Sequence, residues 1–233
     1  MLRAVNDLSD PTRVARRPDW DRIDTVCLDM DGTVLDQRFD NLFWLEVLPQ
    51  RWAEARGLSH AEGTAELMRR FEAKRGTLEW YCVDHWSDDL GLDLASLKHD
   101  LRHEIRYLDG ALTFLGHVRA LGKRLLLTTN AHPVSLAVKN GQTGLGRHFD
   151  ELISSHEFGA PKEAAAFWTR LEQAHGVVPS RTLFVDDSVA VIAAARAAGI
   201  AWVYQVLQPD STRPAHGAAP GFDGVRGLAD LIG

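Results

Sequence analysis

Two kinds of hydrophobic pattern alternate along this chain. Short apolar runs, several of them β-branched or leucine-rich, predict buried strands at 23–28, 123–129, 151–155, 182–186 and 201–206. From Leu125 onward these runs alternate with helical stretches at 162–175 and 188–198. This alternation predicts an α/β fold in which helices cover both faces of a parallel sheet.

A long stretch with helical periodicity separates the first two predicted strands. A parallel crossover needs only about a dozen residues or a little more, and residues 36–109 far exceed that need. We therefore predict an α/β core domain formed by residues 1–35 and 108–233, with an all-helical unit at 36–107 inserted into it. Four helices are expected there: over 41–56 with a kink at Pro49, from a Ser59–Glu62 capping box to Arg75, over 78–90 capped by Thr77, and from Leu94 to Leu108.

Composition narrows the class of protein. With 45% hydrophobic and 25% charged residues, the 233-residue chain can bury a substantial core. No apolar run approaches the roughly 20 residues that a membrane helix needs. A net charge of −6 without a basic run argues against a nucleic-acid partner.

The cysteines and the N-terminal stretch bear on location. Cys27 and Cys82 lie in apolar surroundings and are expected to be reduced core residues. Residues 1–20 contain Pro11 and Pro18 and lack the apolar stretch of a secretory signal. We expect a loosely ordered lead-in and a cytoplasmic protein.

Two carboxylates follow the first predicted strand, in the sequence Asp29-Met30-Asp31-Gly32-Thr33. Side chains two apart on an extended backbone point the same way, so Asp29 and Asp31 can share one site. Two carboxylates at such a short distance repel each other unless a cation lies between them, which indicates Mg²⁺. Gly32 allows a tight turn beside a ligand. The alternative is an acidic turn after a core strand.

Polar residues also follow three later strands, at the sheet edge where ligands of open α/β sheets bind. Thr129 and Asn130 can donate hydrogen bonds to a phosphoryl oxygen, although a helix N-cap before Pro133 is the alternative. Lys162 is predicted in the first helical turn, where a cation is unfavourable unless an anion lies beside it; otherwise it is a surface lysine. Asp186 and Asp187 call for a cation, and helix capping accounts for only one of them.

Together these stretches resemble, in the right order, the four motifs of the haloacid dehalogenase (HAD) superfamily. Asp29 to Thr33 corresponds to the first motif, Thr129-Asn130 to the second, Lys162 to the third and Asp186-Asp187 to the fourth. The insert lies where that superfamily carries its helical C1 cap. The resemblance implies a Rossmann-like parallel sheet with an inserted all-helical cap. Segments 39–44, 77–93, 128–133 and 158–163 resemble bacterial GMP/IMP 5′-nucleotidases of this superfamily.

The resemblance implies a phosphomonoesterase mechanism. Mg²⁺ would be held by Asp29, the backbone carbonyl of Asp31, and the Asp186/Asp187 pair. Asp29 would attack phosphorus to form an aspartyl-phosphate, with Asp31 as general acid and base. Thr129, Asn130 and Lys162 would bind the phosphate. Dehalogenases with this frame lack the second aspartate of the first motif, so the presence of Asp31 favours phosphoryl chemistry.

The predicted cap would select the leaving group. Its aromatic residues include Trp44, Trp80 and Tyr81, and one or two of these facing the site could stack on a flat base. Arg69 could hydrogen-bond a purine carbonyl, although a solvated helix face is the simpler interpretation. The expected substrate is a small phosphorylated metabolite, a purine nucleoside monophosphate. The alternatives are a sugar-phosphate phosphatase or phosphomutase and, further off, a non-catalytic phosphometabolite-binding protein.

Overall fold

The computed structural model describes residues 16–232. Its centre is a six-stranded parallel sheet with the strand order β3-β2-β1-β4-β5-β6. The strands are β1 (Thr25–Leu28), β2 (Arg124–Thr129), β3 (Glu151–Ser154), β4 (Thr182–Asp186), β5 (Trp202–Val206) and β6 (Asp223–Val225). The prediction of a parallel α/β fold is confirmed.

Helices cover both faces of the sheet. Strand β1 shows why, since Val26 and Leu28 belong to one hydrophobic cluster while Cys27, between them, belongs to another. Alternate side chains of a strand point to opposite faces, so a continuous apolar run has both of its faces buried. The four α-helices that pack there are α6 (Ala111–Ala120), α7 (Pro133–Thr143), α8 (Ala165–His175) and α9 (Val189–Ala197). Short 3₁₀ turns lie at Trp20–Arg22, Leu145–His148, Ser155–Phe158, Pro179–Arg181 and Leu228–Leu231.

Residues 36–107 contain helices and no strand of the sheet, and we refer to this segment as the helical insert. Its α-helices are α1 (Arg38–Leu42), α2 (Leu48–Glu54), α3 (His60–Lys74), α4 (Val83–Leu90) and α5 (Leu94–Asp100), with 3₁₀ turns at Glu79–Tyr81 and Arg102–Glu104. The insert has its own hydrophobic cluster, in which Phe43, Trp52, Leu67 and Trp86 are buried. The capping box between Ser59 and Glu62 is present as predicted.

Three of the helices predicted for the insert differ from the observed ones in their bounds or caps. The first predicted helix, expected to kink at Pro49, is divided into α1, a π-helical turn over Phe43–Val47, and α2, in whose first turn Pro49 lies. The predicted helix over 78–90 is divided: α4 begins at Val83, and its N-cap is Cys82 in an extended conformation rather than Thr77. The Thr77 hydroxyl instead donates to the Lys74 carbonyl. The last predicted helix is shorter than its apolar pattern indicated, since α5 ends at Asp100.

The predicted lead-in falls partly outside the described residues, which exclude 1–15 and therefore Pro11. The remainder is not loose. Pro18 is buried, and the Tyr204 hydroxyl donates to the Arg16 carbonyl over 2.6 Å. Across residues 16–232, no helix combines the length and apolar character that crossing a membrane requires.

Candidate active site

The carboxylates predicted at the strand ends meet at the carboxyl edge of the sheet. Asp29 directly follows β1, and Asp186 ends the neighbouring β4, with Asp187 next to it. Carboxylate oxygens of these three residues lie within 4.8 Å of one another. The two strands are held in register there, since the Asp29 N–H donates to the Val185 carbonyl over 3.0 Å. Residues 157 positions apart in sequence thus form one acidic cluster.

Lys162 is the cation of this cluster. Its side chain is 2% exposed, and Nζ donates to the Asp29 carboxylate, to Asp186 Oδ2 at 2.7 Å and to the Thr128 carbonyl at 3.0 Å. The prediction that it lies in the first turn of a helix is wrong, because α8 begins only at Ala165. The lysine therefore does not oppose a helix dipole, and its placement follows from the buried aspartates it contacts.

The charges of this cluster fit a divalent cation. Three carboxylates face a single ammonium group, so two negative charges remain uncompensated. Burial raises the pKa of Asp29 to about 7. Burial, together with the nearby Asp186 and Asp29 carboxylates, also raises the pKa of Asp187 well above its usual value. A hard cation with oxygen ligands would relieve this repulsion, as Mg²⁺ does in carboxylate sites.

Gly32 lets the first motif turn against this cluster. Its φ is +83°, which other residues rarely adopt. A Cβ there would lie 2.8 Å from the Pro209 Cβ and 3.0 Å from Asp187 Oδ2. Both the conformation and the space exclude a side chain at this position.

Asp31 is held by a buried ionic chain that the sequence interpretation missed. Lys139 of α7, with its side chain 2% exposed, donates to Asp31 Oδ1 at 2.5 Å and to Asp40 Oδ2 at 2.6 Å. Lys98 of α5, equally buried, donates to the other Asp40 oxygen at 3.3 Å. Burial, with the Asp40 charge added, raises the pKa of Asp31 to about 7 although Lys139 opposes the shift. This series of ion pairs connects Asp31 to the helical insert.

One of the missed lysines did leave a signal in the sequence. Lys98 lies four residues after Leu94 and so falls on the apolar face of its helix. Lys139 lies four residues after Ser135, a polar residue whose burial only the structure shows, so it left no such signal. A lysine at such a position needs a buried acidic partner, and the partner can be identified only once the fold is known.

The second motif organises the approach to this cluster. Asn130 Oδ1 accepts from the Lys162 backbone N–H at 2.8 Å, and its amide donates to Glu163 at 2.9 Å. The Tyr81 hydroxyl of the insert donates to the other Glu163 oxygen at 2.5 Å. Thr129 Oγ1 accepts from the Ala131 N–H at 3.0 Å, which leaves its own hydrogen available to a ligand. The residue that caps α7 is His132 rather than Thr129 or Asn130.

A cavity of about 680 Å³ opens between the acidic cluster and the insert. It is lined by all of the predicted core site residues: Asp29, Asp31, Thr129, Asn130, Lys162, Asp186 and Asp187. From the insert, Trp44, Trp80 and Tyr81 also line it. Arg69, however, does not; its guanidinium pairs with Glu66 on an exposed face. Arg75 lines the cavity instead and lies 5.3 Å from the centre of the Trp80 ring.

Comparisons with known proteins identify the family of the chain. The family described as haloacid dehalogenase-like hydrolase matches residues 23–199. The chain is 42% identical over 192 residues to the GMP/IMP nucleotidase YrfG of Escherichia coli K12, covering 82% of this chain and 86% of that enzyme. It is 28% identical over 186 residues to the phosphoglycolate phosphatase of Pseudomonas syringae pv. tomato, covering 76% and 67%. Among solved structures, a HAD phosphatase from Thermococcus onnurineus superposes with a TM-score of 0.75 at 20% identity, covering 90% of this chain and 96% of that one.

Proposed function

The chain belongs to the haloacid dehalogenase-like hydrolase family and is a phosphoric monoester hydrolase, and from that premise we propose that it is a Mg²⁺-dependent purine 5′-nucleotidase acting on GMP and IMP. The observation that carries the substrate proposal is the 42% identity to a GMP/IMP nucleotidase over 86% of that enzyme's length. The phosphoglycolate phosphatase relative is less similar, at 28%.

Asp29 is the proposed nucleophile. Its carboxylate attacks phosphorus in line, and the bond from phosphorus to the ester oxygen breaks to leave an aspartyl-phosphate. Asp31 donates a proton to the departing alkoxide oxygen, then removes one from the water that attacks the phosphoenzyme. The second step releases inorganic phosphate and restores the Asp29 carboxylate. The pKa of Asp31, raised by burial to about 7, suits a group that both gives and takes a proton near neutral pH.

Asp29, Asp186 and Asp187, with the backbone carbonyl of Asp31, are the groups that would hold Mg²⁺. Bound there, the cation neutralises phosphate charge and so permits a carboxylate to approach phosphorus. Lys162 holds the Asp29 and Asp186 carboxylates in place through its contacts with both. Thr129, whose hydroxyl hydrogen is uncommitted, is a proposed donor to the transferring phosphoryl oxygens. Asn130 and Lys162 are the other proposed phosphate-binding residues, and Lys162 would exchange one of its three present contacts for a phosphoryl oxygen.

The helical insert, over 36–107, is the proposed cap. Trp44 and Trp80 both pack edge-on against Phe71, with ring centres 5.6 and 6.3 Å from it, and both line the cavity. An aromatic wall suits a flat base, which stacking stabilises by roughly 1–3 kcal/mol. Arg75 lines the cavity, and we propose that it exchanges its exposed ion pair with Glu72, at 2.6 Å, for a purine carbonyl. Distinguishing a 6-oxopurine from adenine requires such a donor.

A phosphorylated-metabolite panel tests the substrate. We expect 5′-GMP and 5′-IMP to be hydrolysed with a higher kcat/KM than AMP, pyrimidine monophosphates, phosphoglycolate or hexose phosphates. Activity should require Mg²⁺, vanish with EDTA and be absent from Asp29→Asn, with p-nitrophenyl phosphate as the generic substrate. A panel headed by phosphoglycolate or sugar phosphates, with purine nucleotides inert, would overturn the substrate but leave the phosphatase chemistry intact. EDTA-insensitive turnover by Asp29→Asn would overturn the chemistry.

A further inference from the structure

A second group of metal-ligating side chains lies where the helical insert meets the core. Cys82, His132 and His156 each offer one ligand atom, and these atoms lie within 4.8 Å of one another. None of the three lines the cavity of the acidic cluster. They come from separate elements: Cys82 precedes α4, His132 precedes α7, and His156 lies in the turn after β3.

His156 is prepared to act as a ligand. Its Nε2 is buried and has no hydrogen-bond partner among residues 16–232. A backbone hydrogen bond to Asn130 is one of the influences on the pKa of this ring, and it opposes the lowering by burial. Metal-binding imidazoles usually donate their second ring N–H to such a backbone group. An unpaired buried nitrogen is otherwise destabilising.

The surroundings favour neutral imidazoles. The His132 and His156 rings lie 4.8 Å apart at 87°, so two positive charges there would repel. Burial, with His132 nearby, lowers the pKa of His156 to about 4. His132 Nδ1 accepts from the Val134 N–H at 3.4 Å, so in the neutral ring the proton is on Nε2, which lies 3.6 Å from an oxygen of Asp84, whose side chain is 72% exposed. Neutral imidazole is the form of histidine that binds metals, and a metal at His132 would replace either this long cap bond or the Nε2 proton.

The donor set selects the metal. One thiol sulfur, two imidazole nitrogens and a nearby carboxylate match the tetrahedral ligands of Zn²⁺ and do not suit Mg²⁺, which requires oxygen ligands. Bond lengths of about 2.0–2.3 Å place ligand atoms of a tetrahedral zinc roughly 3.3–3.8 Å apart. Separations of up to 4.8 Å therefore close onto the ion after movements of about 1 Å. The exposed Asp84 side chain leaves an entry path.

We propose that Cys82, His132 and His156 form a zinc site that fastens the helical insert to the α/β core, and that the exposed Asp84 side chain, now near His132 alone, moves in as the fourth ligand. A thiolate and a carboxylate balance the charge of Zn²⁺. Cys82, the ligand from the insert, directly follows Tyr81, whose hydroxyl already contacts Glu163 of the core. Zinc there would restrict movement of the segment that carries Trp80 and Tyr81 into the cavity.

Co²⁺ as a spectroscopic substitute for zinc tests the site without relying on activity. The full chain, reduced and saturated with Mg²⁺ so that the carboxylate cluster is occupied, is titrated with Co²⁺. We expect one equivalent to produce tetrahedral d–d bands and a thiolate-to-cobalt charge-transfer band, and one equivalent of Zn²⁺ to remove both. Zn²⁺ should also raise the Tm.

Variants assign the ligands. Cys82→Ser should abolish the charge-transfer band, and His132→Asn and His156→Asn should each weaken Co²⁺ binding at least tenfold. His103→Asn, at an exposed histidine of the insert, and Asp29→Asn, in the acidic cluster, should leave the band unchanged. Two results would overturn the proposal: no thiolate band in the wild-type protein, or a band that survives with unchanged affinity in both His132→Asn and His156→Asn. The two histidine variants keep the test valid if Cys82→Ser does not fold.

Discussion

Lys139→Met tests whether the buried ionic chain holds Asp31 in place. Lys139 Nζ lies 2.5 Å from Asp31 Oδ1 and 2.6 Å from Asp40 Oδ2, and the side chain is 2% exposed. Methionine has a similar length but no charge, so the change leaves two half-buried carboxylates with one ammonium, that of Lys98, near them. Removing one partner of a buried ion pair costs about 3–5 kcal/mol. In a chain of this size that lowers the Tm by roughly 6–20 °C.

The assay combines thermal unfolding with a double-mutant cycle. Lys123→Met, at a half-buried lysine just before β2, is the matched control and should change stability by less than about 1 kcal/mol. Combining Lys139→Met with Asp31→Asn removes the carboxylate whose ion-pair partner was Lys139 and leaves the Asp40–Lys98 pair intact. This pair of changes should recover part of the stability that Lys139→Met alone loses, because Asp31 no longer carries an uncompensated charge.

Kinetics separate a positioning role from a purely structural one. If Lys139 orients the proposed acid, Lys139→Met should slow hydrolysis of an alkyl phosphate by up to the roughly 10²–10⁴ that a general acid contributes. The rate of phosphoenzyme formation from p-nitrophenyl phosphate should fall less, because its leaving group needs no proton. A Tm within about 2 °C of the wild type would show that the ion pair does not stabilise the fold as proposed. Equal losses of rate on both substrates would show that Lys139 does not position Asp31 as the acid.

Three further predictions follow from the same site. Asp31→Asn should lose about 10²–10⁴ in rate on alkyl phosphates and accumulate phosphoenzyme from an activated ester in rapid-quench experiments; near wild-type turnover would exclude Asp31 as the acid–base group. Trp80→Ala should raise KM for purine nucleotides more than for p-nitrophenyl phosphate, and an equal rise for both would remove the stacking role. Burial raises the pKa of Asp29 and Asp31 to about 7, above their value of about 3.9 in the unfolded chain, so the unfolded chain releases these protons at lower pH. The stability of the metal-free protein should therefore fall as the pH rises from about 4 to about 7 and stay constant at higher pH. A Tm that rises over this range in calorimetry would show that the pKa values of Asp29 and Asp31 are not raised in the folded protein.

Much of the core could be predicted from local sequence, because β1, β2, β4 and β5 are short and buried on both faces; β6, with the sequence Asp-Gly-Val, has no such pattern and was not predicted. The five runs predicted as strands correspond to β1 through β5, and the helix bounds in the core are close to those observed. The residues after the strands also follow from sequence order, since the carboxyl ends of parallel strands share one edge. Asp29, Thr129 and Asp186 therefore lie together as expected.

The tertiary structure decided which side chains meet. Lys139 reaches Asp31 across 108 positions and Asp40 across 99, and no periodic pattern encodes such a pairing. Cys82 was predicted inside a helix and as a core residue. The break before α4 instead places it beside His132 and His156. Arg69 and Arg75 both belong to the same exposed, charged stretch of sequence, and only the packing of α3 places Arg75 at the cavity.

The division has a physical cause. Strands, helices and capping boxes arise from interactions between residues a few positions apart, so their patterns are visible in a single sequence. A buried lysine or a histidine without a partner is stabilised by atoms that only the folded chain brings within a few ångströms, and its role is undefined until those atoms are placed. Local patterns are therefore enough to predict five of the six strands and the acidic residues at their ends, whereas the packing of distant segments sets how Asp31 is held and where Cys82 lies.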